Sequence, residues 1–163
     1  MAIDTAFGID VKGSEAIIKK FNKIQKVQFR EVFEKIADLM YASMKKNFEV
    51  SGRPKAWKGL SPAYKAWKKE QVVFSNKTLI FSGDLFYSVT GQSSDSIKKI
   101  TAKSLKLGTG VKSKDGYPYW KVHQYGAPKA NIVMRRFAGF QDNDKKEINH
   151  LFSIFMEKAL VNA

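Results

Sequence analysis

Few side chains in this chain are suited to acid–base or metal chemistry. Its 163 residues contain two histidines, His123 and His150, and no cysteine. Histidine is the usual proton-transfer group near neutral pH and the commonest nitrogen ligand for metals. His123 falls in a segment whose alternating pattern predicts a strand over 117–124, with aromatic residues on the same face. We interpret it as a structural hydrogen-bonding residue rather than a catalytic one.

The acidic cluster near the carboxyl end has the best spacing for a metal site. Glu147 and His150 are three positions apart, so they would project from one face of a helix. Asp142 and Asp144 precede them, but acids at a helix start also cap its free amides and complement its dipole. No cysteine or further histidine lies nearby to close a metal site. We therefore predict no metal and no other cofactor. A nuclease using Asp142, Asp144 and His150 is the enzymatic alternative.

Two other segments match catalytic or phosphate-binding motifs only in part. The run GTGVKS at 108–113 has one residue between its glycines, whereas a phosphate-binding loop needs four, followed directly by Lys and Ser or Thr. A Gly-x-Ser-x-Gly nucleophile elbow is absent from the sequence. Ser82, Asp84 and His123 are residue types of a catalytic triad, but such a set occurs by chance in most chains. The sequence therefore predicts a protein that is not an enzyme.

Positive charge is the strongest compositional feature. Twenty-nine Lys and Arg against 15 Asp and Glu give a formal charge of +14, while 44% of the residues are hydrophobic, as in a folded protein. Such a surplus favours nucleic acid, an anionic membrane or an acidic protein surface as partner, and it also promotes solubility. The charge is densest over 45–69, with a smaller spot near 135. The residues predicted to face a partner or DNA are Lys55, Lys58, Lys65, Lys68, Lys69, Arg135 and Arg136.

Aromatic residues are interleaved with this charge. Trp57, Tyr64 and Trp67 could stack on bases, which is how single-stranded nucleic acid is often held. They could equally pin the segment to the body of the domain, and we favour that interpretation for Trp57. A stand-alone basic nucleic-acid-binding module that uses Lys65, Lys68 and Lys69 is thus an alternative function.

The elements that must position these residues form one α+β domain over 1–163, with a flexible basic connection around 49–70. Residues 1–11 alternate apolar and polar side chains, which predicts a half-buried strand. Helical spacing predicts a short helix up to residue 24, a break near 25–28, and a longer amphipathic helix ending near Phe48. The first residues lack the order of a signal peptide, and no apolar run approaches the roughly 18 residues of a membrane span.

The remaining pattern predicts an antiparallel sheet packed against the long amphipathic helix, with additional short helices. Ser61-Pro62 and Ser82-Gly83-Asp84 are typical of helix starts. Residues 96–102 and 105–108 predict a hairpin, followed by the strand over 117–124 and an extended segment at 131–137. A final amphipathic helix is predicted from Asp142. Its predicted buried residues are Ile148, Leu151, Phe152 and Phe155.

Several short motifs follow one another in a fixed order, namely WKGLS at 57–61, LIFSGDL at 79–85, LGT at 107–109 and HQYG at 123–126. The motif residues are Trp57, Leu60, Gly83, Leu85, Gly108, Tyr119, His123, Gln124, Gly126 and Phe137. In their order and spacing over residues 30–155, the chain resembles the tail-completion, or virion morphogenesis, proteins of tailed bacteriophages and prophages. It departs from them at 133–136, where VMRR replaces the family's usual Pro-x-Arg-Pro.

The resemblance implies a small α+β protein that acts without catalysis at the head–tail junction or tail end. It implies a role in completing the tail or joining it to the filled head, by self-association, with a hexameric ring as one form. The implied partners are neck, adaptor or tail-tube proteins and packaged DNA, without a membrane. The implied location is the virion, assembled in the bacterial host cytoplasm. Segments 112–116 and 126–130, predicted to be flexible, would order on docking.

Overall fold

The computed structural model describes residues 19, 22, 26–73 and 75–161. The predicted strand over 1–11 and most of the predicted first helix lie outside these residues. The α+β class is confirmed. The helices are α1 (Arg30–Glu49), α2 (Pro62–Gln71), α3 (Asp84–Val89), α4 (Trp120–Tyr125) and α5 (Asp142–Val161), the strands are β1 (Ser96–Ile100) and β2 (Leu105–Thr109), and Pro128–Ala130 forms a 3-10 turn.

Helix α1 is the central element of the domain. Its apolar residues recur every three or four positions, so they share one face, and this face is buried from Val32 to Phe48. Glu31 in the first turn and Lys46 in the last turn suit the helix dipole. The chain has no regular structure over 27–29, so the predicted break before the long helix is confirmed.

Helix α5 packs against α1 through aromatic side chains. The ring centroids of Phe29 and Phe155 are 5.7 Å apart, and Phe33 meets Phe152 edge to face at 6.0 Å. Ile148 and Leu151 also lie against the core, so the predicted apolar face of this helix is confirmed.

The predicted hairpin is confirmed as well. Strands β1 and β2 pair antiparallel, from Ser96 opposite Thr109 to Ile100 opposite Leu105. The turn closes with a 2.9 Å hydrogen bond from Thr101 N to Ser104 O. Helices α1 and α3 pack against the two strands, which are the whole sheet among the described residues.

The predicted strand over 117–124 is wrong, because the chain there forms helix α4. Pro118 has no N–H for a sheet ladder, and its carbonyl accepts a 3.0 Å hydrogen bond from Lys121 N that starts a helical turn. Tyr119 and His123 are four positions apart, which also suits one helical face, and their rings lie edge to face at 6.2 Å.

The segment predicted to be extended at 131–137 is not a regular strand. It makes a single bridge, between Ala127 and Ile132, and otherwise follows an irregular path. Gly126 begins this path with a φ of +79°, a left-handed conformation that suits glycine.

Candidate functional site: a cleft lined by the sequence motifs

A cleft of about 540 Å³ opens between α2, the segment leading into α3, helix α4 and the 131–135 segment. Its lining comes from parts of the chain that are far apart in sequence. Five of the ten motif residues line it, namely Leu60, Gly83, Leu85, Tyr119 and His123. The order of the motifs along the chain therefore corresponds to one place in the fold.

The other five motif residues lie elsewhere. Gly108, Gln124 and Phe137 line a separate groove beside β2. The Gln124 side chain accepts hydrogen bonds from Phe137 N and Ala138 N and donates one of 2.7 Å to Ala138 O. These three hydrogen bonds attach Phe137 and Ala138, at the end of the irregular segment, to α4. Trp57 and Gly126 support the walls of the cleft.

Helix α2 forms one wall of the cleft. Ser61 accepts a 3.3 Å hydrogen bond from Tyr64 N, and Pro62 occupies the first helical position, so the predicted start of this helix is confirmed. Lys65 and Lys69 are exposed on its outer surface. This wall therefore presents two cations to solvent.

Lys68, which we predicted to face a partner or DNA, is instead buried, with 2% of its surface exposed. Its Nζ donates hydrogen bonds to Lys77 O and Ile80 O, so it holds α2 against the next segment. Burial lowers the pKa of this ammonium group. The prediction failed because spacing along a basic helix does not reveal which cation turns inward to two free carbonyls.

The start of α3 forms the second wall. Gly83 adopts a φ of +99°, and a Cβ at this position would lie 2.7 Å from the Tyr87 ring. Ser82 Oγ donates a 2.7 Å hydrogen bond to Asp84 Oδ2 at the first residue of the helix. This wall therefore requires glycine for both its backbone conformation and its packing.

The third wall is held by contacts between the 57–59 and 135–136 segments. Arg135 Nε donates to Lys58 O at 3.0 Å, and Trp57 Nε1 donates to Arg136 O at 2.9 Å. The Trp57 ring also packs edge to face on Phe48, at 5.5 Å, so it is anchored to the core. These contacts fix residues 135–136, which lie in the 133–136 segment where VMRR replaces the Pro-x-Arg-Pro motif.

His123 lies at the inner side of the cleft. Burial, followed by the nearby charge of Arg135, lowers the pKa of its imidazole. Its Nδ1 is buried and has no hydrogen-bond partner among the described residues. Sequence reasoning placed this histidine on a strand, but its position against aromatic residues on one face was anticipated.

The cleft contains Ser82, Asp84 and His123 together, but not in the connectivity of a catalytic triad. A triad needs the serine hydroxyl bonded to histidine and the histidine bonded to the acid. Here Ser82 bonds directly to Asp84, and the His123 Nδ1 is unpartnered within the described chain. This arrangement therefore lacks the serine-to-histidine and histidine-to-acid bonds of a triad among the described residues.

The rim of the cleft is aromatic and exposed. Tyr64, Trp67 and Phe81 have exposed fractions of 43%, 48% and 43%. The rings of Trp67 and Phe81 stack with centroids 5.8 Å apart and an interplanar angle of 11°, and Tyr64 adjoins Trp67 at 5.3 Å. We call these three residues the aromatic rim. Sequence reasoning did not single out Phe81, because an apolar residue in LIF suggests core.

The remaining predicted basic residues are distributed around this part of the surface. Arg135 is half-buried and bound to backbone carbonyls, as described above. The exposed ones are Lys55, Lys58, Lys65, Lys69 and Arg136. The predicted partner-facing surface thus keeps five exposed cations.

The acidic cluster at the start of α5 has structural contacts. Asp144 is buried and accepts hydrogen bonds from Ser43 Oγ and Gln141 N, while Asp142 pairs with Lys145 at 3.0 Å. Among the described residues, no group of three or more His, Asp or Glu could hold a metal ion. No helix in that part of the chain is long and apolar enough to cross a membrane.

The sequence profile of the phage virion morphogenesis family matches residues 9–156 of the chain. No curated protein and no solved structure matches the chain significantly. The matched range includes all three walls of the cleft and the aromatic rim.

Proposed function

Since the chain belongs to the phage virion morphogenesis family, we propose that it is a structural subunit of a tailed phage or prophage particle, acting in tail completion and joining at the head–tail junction or tail end. It performs this role without catalysis, as a multi-copy ring such as a hexamer. Its partners are neck, adaptor or tail-tube proteins.

The observation that carries this proposal is the aromatic rim beside the motif-lined cleft. Neighbouring exposed aromatic side chains are unusual on a surface with no partner, and aromatic residues dominate the binding energy of protein interfaces. Trp67 and Phe81 are already stacked on one another, so little side-chain freedom is lost when a partner covers them. The cleft next to them offers a concave surface for a partner's side chains.

The positive charge around the aromatic rim indicates what kind of partner surface would bind there. Lys65 and Lys69 are exposed on α2, and Lys58 lines the mouth of the cleft. Cations around an apolar centre favour an acidic surface on the partner, because opposite charge speeds association and selects the correct neighbour. We therefore propose an acidic face of a neighbouring neck or tail protein as the contact.

Particle assembly tests the proposal. Phage lacking the gene, supplied with the Trp67→Ala or Phe81→Ala protein, should accumulate filled heads and tails that are unjoined or unfinished in electron micrographs. Tyr117→Ala is the matched control, because Tyr117 is 52% exposed but is not one of the stacked rings of the aromatic rim, and it should restore infectious particles. Normal infectious particles from the deletion itself would refute the proposal.

A stand-alone nucleic-acid-binding module is the second candidate. The exposed Tyr64 and Trp67 rings beside Lys65 and Lys69 have the composition of a single-strand platform. This candidate predicts affinity for single-stranded DNA that falls steeply with salt and is lost when Lys65 and Lys69 are both changed to Glu. Affinity unchanged by this double substitution would exclude the platform.

A further inference from the structure

In the part of the chain that the structure describes, strand β2 has an open edge. Thr101 N donates to Ser104 O and Gly110 N donates to Asp95 O, and both bonds join residues opposite one another in the hairpin register. In an antiparallel pair, bonded and non-bonded residue pairs alternate. The peptide groups of Leu105, Leu107 and Thr109 therefore point away from β1. Among the described residues, no backbone hydrogen bond outside the hairpin uses them.

This edge faces an apolar groove of about 440 Å³. All five residues of β2 line it, and no residue of β1 does, so the groove runs along the open edge. Its floor comes from α1 through Ile36, Met40 and Met44, and its far wall comes from α4 and the 137–140 segment. Unpaired strand edges beside apolar surface are templates for an added strand.

The chain contains a segment suited to this edge. Residues 3–11 alternate, with Ile3, Thr5, Phe7, Ile9 and Val11 on one side. On β2, Leu105 and Leu107 pack toward the core while Lys106 is exposed. An added strand with the same alternation would place its apolar side chains over the α1 floor and its polar side chains outward.

Charge favours the same pairing. Residues 1–11 contain Asp4 and Asp10 and no Lys or Arg, in a chain with a formal charge of +14. Lys106 is the single charged side chain among the described residues that line the groove. A strand laid along β2 would bring an aspartate on its outward face within reach of Lys106, and cross-strand pairs of opposite charge stabilise a sheet.

We propose that residues 3–11 of one copy add as a third strand to the β2 edge of the next copy. The chain enters the described body at 27–29, where Phe29 N donates to Ala102 O and Lys103 Nζ donates to Val27 O. Ala102 directly follows Thr101 at the β1 end of the hairpin turn. Ala102 and Lys103 are the two central residues of that turn, so the entering chain meets the sheet at its turn end. Since the proposed function requires contacts between copies, we assign the pairing to the groove of a neighbouring copy.

This proposal rests on the proposed function. The exchanged strand is the contact that joins the copies. The donor segment and the acceptor groove are different surfaces, so each copy offers one of each. Such a head-to-tail interface closes into a ring when its rotation permits. Strand exchange thus provides a physical basis for a ring.

Disulfide trapping tests the pairing directly, because the natural chain has no cysteine. Lys106→Cys is combined in turn with Asp4→Cys, Ala6→Cys, Gly8→Cys or Asp10→Cys, which together cover the registers with outward side chains. One of these pairs should form a covalent ladder of copies on a non-reducing gel after mild oxidation. Lys65→Cys with Ala6→Cys is the control, because Lys65 lies on α2, and it should give no ladder.

A mixing experiment separates exchange between copies from pairing within one copy. A size-tagged Lys106→Cys chain is mixed with an untagged chain carrying the successful partner cysteine. A tagged–untagged disulfide supports exchange. A disulfide that forms only when both cysteines are in one chain, or no disulfide in any register, overturns the proposal.

Self-association gives an independent measurement. Phe7→Glu should weaken association in sedimentation by at least about tenfold, the effect of losing one buried interface anchor. Ala6→Glu, on the outward side of the same segment, should have little effect. If both leave the assembled mass unchanged while Trp67→Ala still blocks particle joining, the exchange fails and the proposed function stands. If neither self-association nor particle joining depends on any of these residues, both fail.

Discussion

Ser43 Oγ donates a 2.6 Å hydrogen bond to Asp144 Oδ2, joining the middle of α1 to the first turn of α5. The same Ser43 oxygen accepts a 2.8 Å hydrogen bond from Arg53, and Asp144 also accepts one from Gln141 N. Arg53 further donates to Asn47 Oδ1 at 2.8 Å. Two helices and the connection after α1 thus meet at one largely buried polar network.

Asp144→Ala should lower the free energy of unfolding by about 2–3 kcal/mol, because it leaves a buried hydroxyl and a backbone amide without their charged acceptor. Urea denaturation followed by circular dichroism measures the change. Asp142→Ala is the matched control, since Asp142 is exposed in the same helical turn, and its effect should be much smaller. Equal losses from the two substitutions would show that the network contributes nothing beyond helix capping.

Gly83→Ala should also destabilise the fold. The left-handed backbone at Gly83 costs about 1–2 kcal/mol for a residue with a Cβ, and the new methyl group would also press on Tyr87. Gly116→Ala separates the two effects, because Gly116 has a φ of +78° with open space around it. Thermal unfolding should rank Gly83→Ala as the more destabilising change, and a reversed order would contradict the packing argument.

Lys68→Met should be destabilising although it removes a charge from a strongly basic protein. It leaves the carbonyls of Lys77 and Ile80 without their donor, and losing a hydrogen bond from a charged group costs about 1.5–3 kcal/mol. Lys65→Met, one turn earlier and exposed, should change stability by less than about 0.5 kcal/mol. Equal chemical denaturation midpoints for the two variants would refute the assigned role of Lys68.

Local signals in the sequence were sufficient to predict the elements whose ends carry specific side chains. Ser61-Pro62 marks α2, Gly83 marks α3, and a tight turn over 101–104 closes the hairpin. Each rests on contacts between residues close in sequence. The stretch at 117–124 was misread, because Tyr119 and His123, four positions apart, share a face in a strand and in a helix alike. Pro118 was the local signal that decides between them.

The cleft depends on contacts that no local pattern contains. Trp57 Nε1 reaches Arg136 O, and Arg135 reaches Lys58 O, across more than 70 positions. The motifs that carry the family resemblance include most of the residues that line the cleft. They do not show how these residues are arranged in space. Lys68 and Phe81 show the limit most clearly, since a charged residue is buried and an apolar one is exposed. Both positions depend on tertiary packing rather than on residue type.

Acidification should destabilise the protein through His123. Burial and Arg135 lower the pKa of its imidazole in the folded state, so the unfolded chain binds this proton more readily. Above the unfolded pKa of about 6.5, both states are neutral and the full stability is present. Stability should therefore fall as the pH drops below that value. His123→Gln should flatten this dependence between pH 7 and pH 5, measured as urea midpoints at each pH, whereas His150→Gln, at an exposed position of α5, should retain it. A slope unchanged by His123→Gln would show that the acid sensitivity arises elsewhere.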